Sequence, residues 1–324
     1  MKTLAILDDY QDAVRHLPYW KRLEGRVAID VFRDTLLQED ALVDRLKPYA
    51  VVVAIRERTR FTGSLLGRLP ALEHLAITGR NSGHVDVGAA TKRGILVTAT
   101  GGSGAGAIEL TLALILAVVR RVPHEDRAMR EGRWQTTIGA ELSGKTLGIA
   151  GLGRIGSRVA AFGQFLGMRV VAWGPTLTDE RAAAAGVTRV TLDELFRQSD
   201  VVSLHLLLSA QSRGIVTARQ LALMKPTAYL VNTARGPLID EAALVAALSE
   251  RRIAGAALDV YDVEPLPRDH PLLSLDNVVL TPHLGYVTEE GYRAFFSQVV
   301  ENIESWLGGE APKRALNPEV LAGR

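Results

Sequence analysis

The sequence predicts an α/β protein made of doubly wound parallel sheets, and three observations carry that prediction. Short runs rich in Val, Ile and Leu recur along the chain, helix-like stretches separate them, and a glycine-spaced turn joins one run to the helix after it. The first series of strands is expected at residues 4–7, 27–31, 51–55, 74–78 and 95–98, with helices at 39–47 and 65–69. A second series begins at Thr146, with strands at 146–150, 169–173, 201–205, 229–232, 256–260 and 278–281. Helices at 156–166, 180–185, 218–224 and 241–250 supply the crossovers that parallel strands need.

Between the two series the composition changes. Residues 100–106 (Thr-Gly-Gly-Ser-Gly-Ala-Gly) form the most glycine-rich stretch, either a flexible loop or the point where one domain hands over to another. A helix is expected over 108–121, stopped near Pro123 and apolar around most of its circumference, so buried in the body or in a subunit contact. Residues 288–307 read as one amphipathic helix.

Composition excludes several function classes. A length of 324 residues suggests about two domains. With 47% apolar and 23% charged residues, there is enough apolar side chain to offset chain entropy, so the chain folds. Lys and Arg number 38 against 36 Asp and Glu, a balance too even for a nucleic-acid partner. The lack of cysteine removes disulfides, thiolate metal sites and a cysteine nucleophile. Neither an HExxH pattern nor another metal-ligand cluster is present, so no metal is expected. The longest apolar run, 110–119, is too short for a bilayer, which takes about 20 residues. Residues 1–9 read as a strand and turn instead of a signal peptide, and a cytoplasmic location is the expectation.

Gly151-Leu152-Gly153-Arg154-Ile155-Gly156 follows an apolar strand and opens a helix. In that setting Gly151 permits a tight turn, Gly153 lets backbone approach a pyrophosphate, and Gly156 permits close helix–strand packing. The N–H groups of Arg154, Ile155 and Gly156 open a helix whose positive end favours phosphate. The strand before and the helix after favour dinucleotide binding over an ordinary turn. An acidic residue is expected about 20 residues on, at the end of the next strand. That strand ends Trp173-Gly174-Pro175, with no carboxylate at position 174. NADP is therefore admissible beside NAD. Asp179 and Glu180 arrive late and read as first-turn acids of a helix, while Thr176, Thr178 and Arg181 are candidate contacts.

Three residues follow three different strands at the carboxyl edge of this sheet. They are Arg235 in Asn-Thr-Ala-Arg-Gly, Glu264 in Asp-Val-Tyr-Asp-Val-Glu-Pro, and His283 in Thr-Pro-His-Leu-Gly. Singly they read as a surface arginine, a solvated loop acid and a structural histidine. Together they supply what ketone reduction needs. Imidazolium donates a proton to the developing alkoxide, a carboxylate stabilises the protonated ring, and guanidinium holds a substrate carboxylate bidentately.

These stretches, with residues 151–156, 231–240 and 257–265, resemble the D-isomer-specific 2-hydroxyacid dehydrogenase family. Glu264 lies 29 residues after Arg235 and His283 a further 19 on, which fits the family's order and spacing. The resemblance covers nearly the whole chain and is weakest over the first hundred residues. It implies two Rossmann-like domains with a cleft between them: a discontinuous substrate domain, 1–100 with 288–324, and a dinucleotide domain, 101–287. It implies an NAD(P)-dependent enzyme that interconverts a 2-oxoacid and a D-2-hydroxyacid, of the glyoxylate/hydroxypyruvate reductase type. Arg235 would bind substrate, Glu264 would pair with His283, and His283 would be the general acid/base. Thr233, Ala234 and Asp259 would line the cofactor, Asp259 at the nicotinamide carboxamide. His205 is either a cofactor neighbour or a structural strand-end histidine. Thr78 and Gly79 open a loop, 78–83, whose amides would meet the substrate carboxylate, as in an anion nest. Family members are usually homodimers, with the 108–121 helix in the contact.

Departures from the family pattern are few. Arg80 and Asn81 make the 78–83 loop bulkier than usual, Leu207 and Leu208 stand where a proline is common, and Tyr286 replaces a small residue. Tyr286 either touches substrate or packs. Arg56 and Arg58 follow another first-domain strand and either reach the cleft or, the favoured reading, lie on the surface; Trp20 and Trp134 read as packing or interface residues, and residues 269–272 as a structural turn. Within the family, phosphoglycerate dehydrogenase is an alternative, although larger members of that type carry an added regulatory domain. Formate dehydrogenase fits less well, having glutamine where this chain has Glu264. A rival from another class is a non-enzymatic, nicotinamide-sensing corepressor of the same fold.

Overall fold

The computed structural model describes residues 1–80 and 82–322. Asn81, in the 78–83 loop, and Gly323 and Arg324, at the end of the expected substrate segment, lie outside the described residues. The chain forms two compact units, Met1–Ser103 with Thr288–Arg324, and Gly104–Val287.

The first unit is built on five parallel strands: β1 (Lys2–Ile6), β2 (Val27–Val31), β3 (Val51–Ala54), β4 (His74–Ile77) and β5 (Leu96–Thr98). Their order is β2-β1-β3-β4-β5. Every residue of β3 and β4 is buried, which is why β3 and, after His74, β4 read as apolar runs with no alternation. The helix Glu289–Leu307 belongs to this unit; Thr288 caps it by accepting from the Gly291 N–H at 3.0 Å. Its buried stripe includes Phe295, Phe296, Val299, Ile303 and Trp306, and Phe296 meets the Trp20 ring at 6.0 Å.

Beyond that helix, Asn317 ties the chain to β5. Its buried amide accepts from the Val97 N–H at 2.7 Å and donates to Ile95 O and Thr91 Oγ1, both at 2.9 Å. A buried amide that satisfies three partners cannot be removed without orphaning them. Asn317→Ala is expected to lower the unfolding free energy by about 2–3 kcal/mol. Urea denaturation followed by circular dichroism measures this, and an unchanged midpoint would mean water replaces the amide.

The second unit carries seven parallel strands: β6 (Thr146–Ala150), β7 (Arg169–Trp173), β8 (Thr188–Arg189), β9 (Val201–Leu204), β10 (Tyr229–Asn232), β11 (Gly255–Leu258) and β12 (Val278–Leu280). Their order is β12-β11-β10-β9-β6-β7-β8. The sequence predicts six of these. The seventh, β8, is two exposed residues at the sheet edge, with no apolar run to mark it. The winding reverses between β6 and β9, the switch point where ligands bind in such sheets.

The long apolar helix spans Ala105–Val119, and its inner face (Thr111, Leu114, Ile115, Val118, Val119) is buried in the core of this unit. The expected stop at Pro123 is corrected. Arg121 breaks the helix in the left-handed region at φ 53°, and Pro123 stands in the first turn of a second helix, Val122–Arg130. Proline fits there because the first turn has no partner for its missing N–H.

Candidate active site

The glycine loop leaves β6 at its carboxyl end. Gly151 has φ +102°, and a Cβ there would lie 2.8 Å from the carbonyl carbon and oxygen of His205, just past β9. Its N–H donates to Trp173 O at 2.7 Å, tying the loop to the end of β7. A Cβ on Gly156 would lie 2.1 Å from Gly151 O, so only glycine lets the helix Arg154–Phe165 start this close to the turn. Around Gly153 a Cβ would meet nothing within 4 Å, and no side chain caps the helix. A dinucleotide fits these residues: the space over Gly153 admits a pyrophosphate, and the N–H groups of Arg154, Ile155 and Gly156 open toward it.

Arg235, Glu264 and His283 follow β10, β11 and β12, which are neighbours in the sheet. Glu264 Oε2 meets His283 Nδ1 at 2.6 Å, and Glu264 Oε1 accepts from the Tyr261 N–H at 2.9 Å. The carboxylate is thus held at both oxygens, and one imidazole nitrogen is committed to it. Tyr261 is itself anchored: its hydroxyl donates to Leu258 O at 3.1 Å and Thr281 O at 3.0 Å, and burial pushes its pKa upward. The arginine loop docks on the same turn, because a Cβ on Gly236 would lie 2.0 Å from the Tyr261 carbonyl carbon. Asn232 shapes that loop, accepting from Ala234 N at 3.0 Å and donating to Arg235 O at 2.9 Å.

A family model described as the D-isomer specific 2-hydroxyacid dehydrogenase, NAD binding domain, matches residues 112–285, over half of the chain. The chain is 41% identical over 275 residues to a glyoxylate reductase of Aeropyrum pernix, covering 82% of each. The chain belongs to the D-isomer specific 2-hydroxyacid dehydrogenase family. It is also 40% identical over 287 residues to a D-3-phosphoglycerate dehydrogenase of Methanocaldococcus jannaschii, covering 87% of this chain and 54% of that one. The chain thus spans about half the length of the curated D-3-phosphoglycerate dehydrogenases it matches. A solved phosphoglycerate oxidoreductase of Vibrio cholerae O395 superposes with a TM-score of 0.91 at 41% identity, covering 95% of this chain and 99% of that one. As the family description implies, this 2-hydroxyacid dehydrogenase family member is an NAD-binding type of oxidoreductase fold.

The sequence named Asp259 but not its bonds to the histidine loop. Asp259 has no exposed surface, and its carboxylate is filled by the loop that carries His283. Oδ1 accepts from Thr281 Oγ1 at 2.6 Å and Leu284 N at 2.7 Å, and Oδ2 accepts from Gly285 N at 3.0 Å. Burial raises its pKa against those bonds. The resemblance points Asp259 at the cofactor; its bonds make it the clamp of the histidine loop. Tyr286 packs edge-on against the His283 ring, centroids 5.4 Å apart. Thr233 Oγ1 bonds Thr111 Oγ1 at 2.7 Å, fixing that side chain to the long helix.

In the other unit of this dehydrogenase family member, Thr78 and Gly79 do not offer their amides. Thr78 N donates to Ala54 O at 3.0 Å and Gly79 N to Thr100 Oγ1 at 2.7 Å, so these two amides are already paired within the unit. Arg56 is not a surface residue: its side chain is 16% exposed and lies where a Cβ of Gly79 would be. Arg58 stacks over the Tyr10 ring at 4.4 Å. Among the described residues no group of carboxylates and imidazoles could hold a metal ion, and no helix is long and apolar enough to cross a membrane.

His205 bonds Ser203 Oγ through Nε2 at 2.9 Å. The residue keeps some surface, but burial of its ring pushes the pKa down from 6.5 to about 4. A base whose pKa falls on folding binds fewer protons than in the unfolded chain. The stability it preserves is therefore complete above pH 6.5 and lost as the pH falls toward about 4. The loss is expected to reach roughly 2 kcal/mol, discounted for the exposed part of the residue. Chemical denaturation of the wild type and His205→Gln at pH 7 and pH 4.5 measures the difference, and parallel pH profiles would remove His205 as its source.

Proposed function

We propose that this chain is a nicotinamide-dependent oxidoreductase that interconverts a 2-oxoacid and a D-2-hydroxyacid. The observation that carries the reading is the 2.6 Å pairing of His283 with Glu264, on loops next to the one that carries Arg235. A carboxylate held at both oxygens fixes the ring and supplies a counter-charge to its protonated form. In the reducing direction His283 delivers a proton to the carbonyl oxygen as hydride reaches the carbonyl carbon; in the oxidising direction it takes that proton back. Arg235 holds the substrate carboxylate as a bidentate pair and polarises the adjacent carbonyl. A bound nicotinamide supplies or accepts the hydride. Gly151, Gly153, Arg154, Ile155 and Gly156 would hold its pyrophosphate. Thr233, Ala234, His205 and Asp259 would border it, Asp259 acting through the loop it clamps. On this reading Gly104–Val287 is the dinucleotide domain and the other unit the substrate domain. The names of two relatives, a glyoxylate reductase and a D-3-phosphoglycerate dehydrogenase, favour a small substrate: glyoxylate, or the pair of which D-3-phosphoglycerate is the hydroxyacid.

The test is initial-rate loss of reduced-nicotinamide absorbance over a panel of 2-oxoacids. His283→Ala is expected to lower turnover by about 10²–10⁴-fold. Arg235→Lys, which loses the guanidinium fork, is expected to act chiefly on KM. Turnover that survives His283→Ala would remove the histidine from the chemistry. Cofactor binding with no turnover on any 2-oxoacid would replace the enzyme by a nicotinamide-sensing binding protein.

We further infer a homodimer. The stretch after the helix Val122–Arg130 exposes Trp134 at 73% and Ile138 at 98%, and Val122 and Met129 beside it are more than half exposed. Light scattering coupled to size exclusion is expected to give twice the 35.1 kDa chain mass. Trp134→Ser with Ile138→Ser is expected to shift it toward one chain. A monomer in the wild type at micromolar concentration overturns this.

A further inference from the structure

We propose that Arg181 makes the adenosine end of this site a reader of a ribose 2′-phosphate, so that NADP(H) is the preferred dinucleotide. The proposal rests on the oxidoreductase reading only in needing a dinucleotide on the glycine loop.

Three observations converge on one corner of the sheet. First, the Gly151 N–H bond to Trp173 O sets the end of β7 beside the glycine loop. A ribose lying over that loop therefore comes beside residues 174–178. Second, Gly174 holds the place of the carboxylate that would bond a free 2′-hydroxyl and repel a 2′-phosphate. The backbone does not demand glycine there. Its φ lies outside the left-handed region, and a Cβ would make only ordinary contacts, 3.5 Å to Leu177 Cβ and 3.9 Å to Gly151 Cα. The position tolerates a Cβ, so glycine is not imposed by the backbone and what distinguishes it is the missing charge.

Third, a guanidinium stands in that corner. Arg181, on the helix Asp179–Ala184, reaches back to donate through Nη1 to Thr176 O at 2.9 Å and through Nη2 to Leu152 O at 3.3 Å. Leu152 belongs to the glycine loop and Thr176 to the turn after β7, so the charge bridges the two segments that flank a ribose. Two backbone carbonyls hold the fork in place and consume only part of its five N–H donors. The rest suit a phosphate, which guanidinium binds bidentately. The neighbouring acids do not neutralise it. Asp179 pairs with Arg189 at 3.3 Å, and Glu180 turns to its own backbone and the Thr178 hydroxyl, which hold its carboxyl below the usual range. Thr178 spends its oxygen on the Arg181 N–H at 3.3 Å, which leaves the arginine side chain as the recognition element.

Isothermal titration of the full chain tests this without turnover. The ligands are adenosine 2′,5′-bisphosphate against 5′-AMP, and NADP⁺ against NAD⁺. The wild type is expected to bind the 2′-phosphorylated member of each pair about 10–100-fold more tightly, the scale of one or two charge-assisted contacts. Arg181→Ala is expected to bring the ratio to about one, Arg181→Lys to an intermediate value, and Gly174→Asp to invert it. Equal affinities in the wild type, or a ratio that survives Arg181→Ala, overturn the proposal and leave the oxidoreductase reading standing. Failure of every dinucleotide and nucleotide to bind overturns both.

Discussion

Asp259, a carboxylate with no exposed surface, holds the candidate site in shape. It stands just past β11 and takes hydrogen bonds from Thr281, Leu284 and Gly285, on both sides of His283. His283 itself sits at φ +54°, a conformation that costs a non-glycine residue on the order of 1–2 kcal/mol. Such strain persists only where the surroundings over-determine it. Here three bonds to one buried carboxylate do so, and they reduce, without cancelling, the cost of burying the charge. Remove that clamp and the imidazole has no reason to meet Glu264 at 2.6 Å.

The remaining pieces converge because of strand order. β10, β11 and β12 are adjacent and parallel, so the loops that follow them leave from one edge. Gly236 brings two of those loops into backbone contact with Tyr261, and the Tyr261 N–H then fixes Glu264. At the switch point β6 and β9 are adjacent, which brings Gly151 against the backbone of His205. Arg235, the His283–Glu264 pair and the glycine loop thus all leave from one edge of one sheet, as the proposed hydride transfer needs.

Much of this was legible in the chain. Glycine spacing announced the turn after β6, since Gly151 and Gly156 are each required by a steric approach that no other residue allows. Apolar runs announced the buried strands, and Thr288 with the stripe from Tyr292 to Trp306 announced the last helix. Other parts were not legible. β8 carries no apolar signal because it is an exposed edge of two residues. The helix Val122–Arg130 was hidden because proline stops a helix in its interior yet starts one in its first turn. In the loop that opens at Thr78 and Gly79, the pairing of those two amides with Ala54 and Thr100 spans 21 residues or more and left no mark in the local sequence.

Local pattern along the chain was enough for the fold class and for the strand–glycine–helix turn after β6, because each depends on residues only a few positions apart; Arg235, Glu264 and His283 were singled out by the short motifs that hold them and by the order of those motifs. Which groups hold those side chains in place was decided by tertiary structure alone. Asp259 reaches partners 22 to 26 residues away, Asn317 reaches β5 across 220, and Arg181 finds the Leu152 carbonyl 29 residues back. Hydrogen bonds of that span leave no periodicity in the sequence, since only the packing of parallel strands brings their ends together.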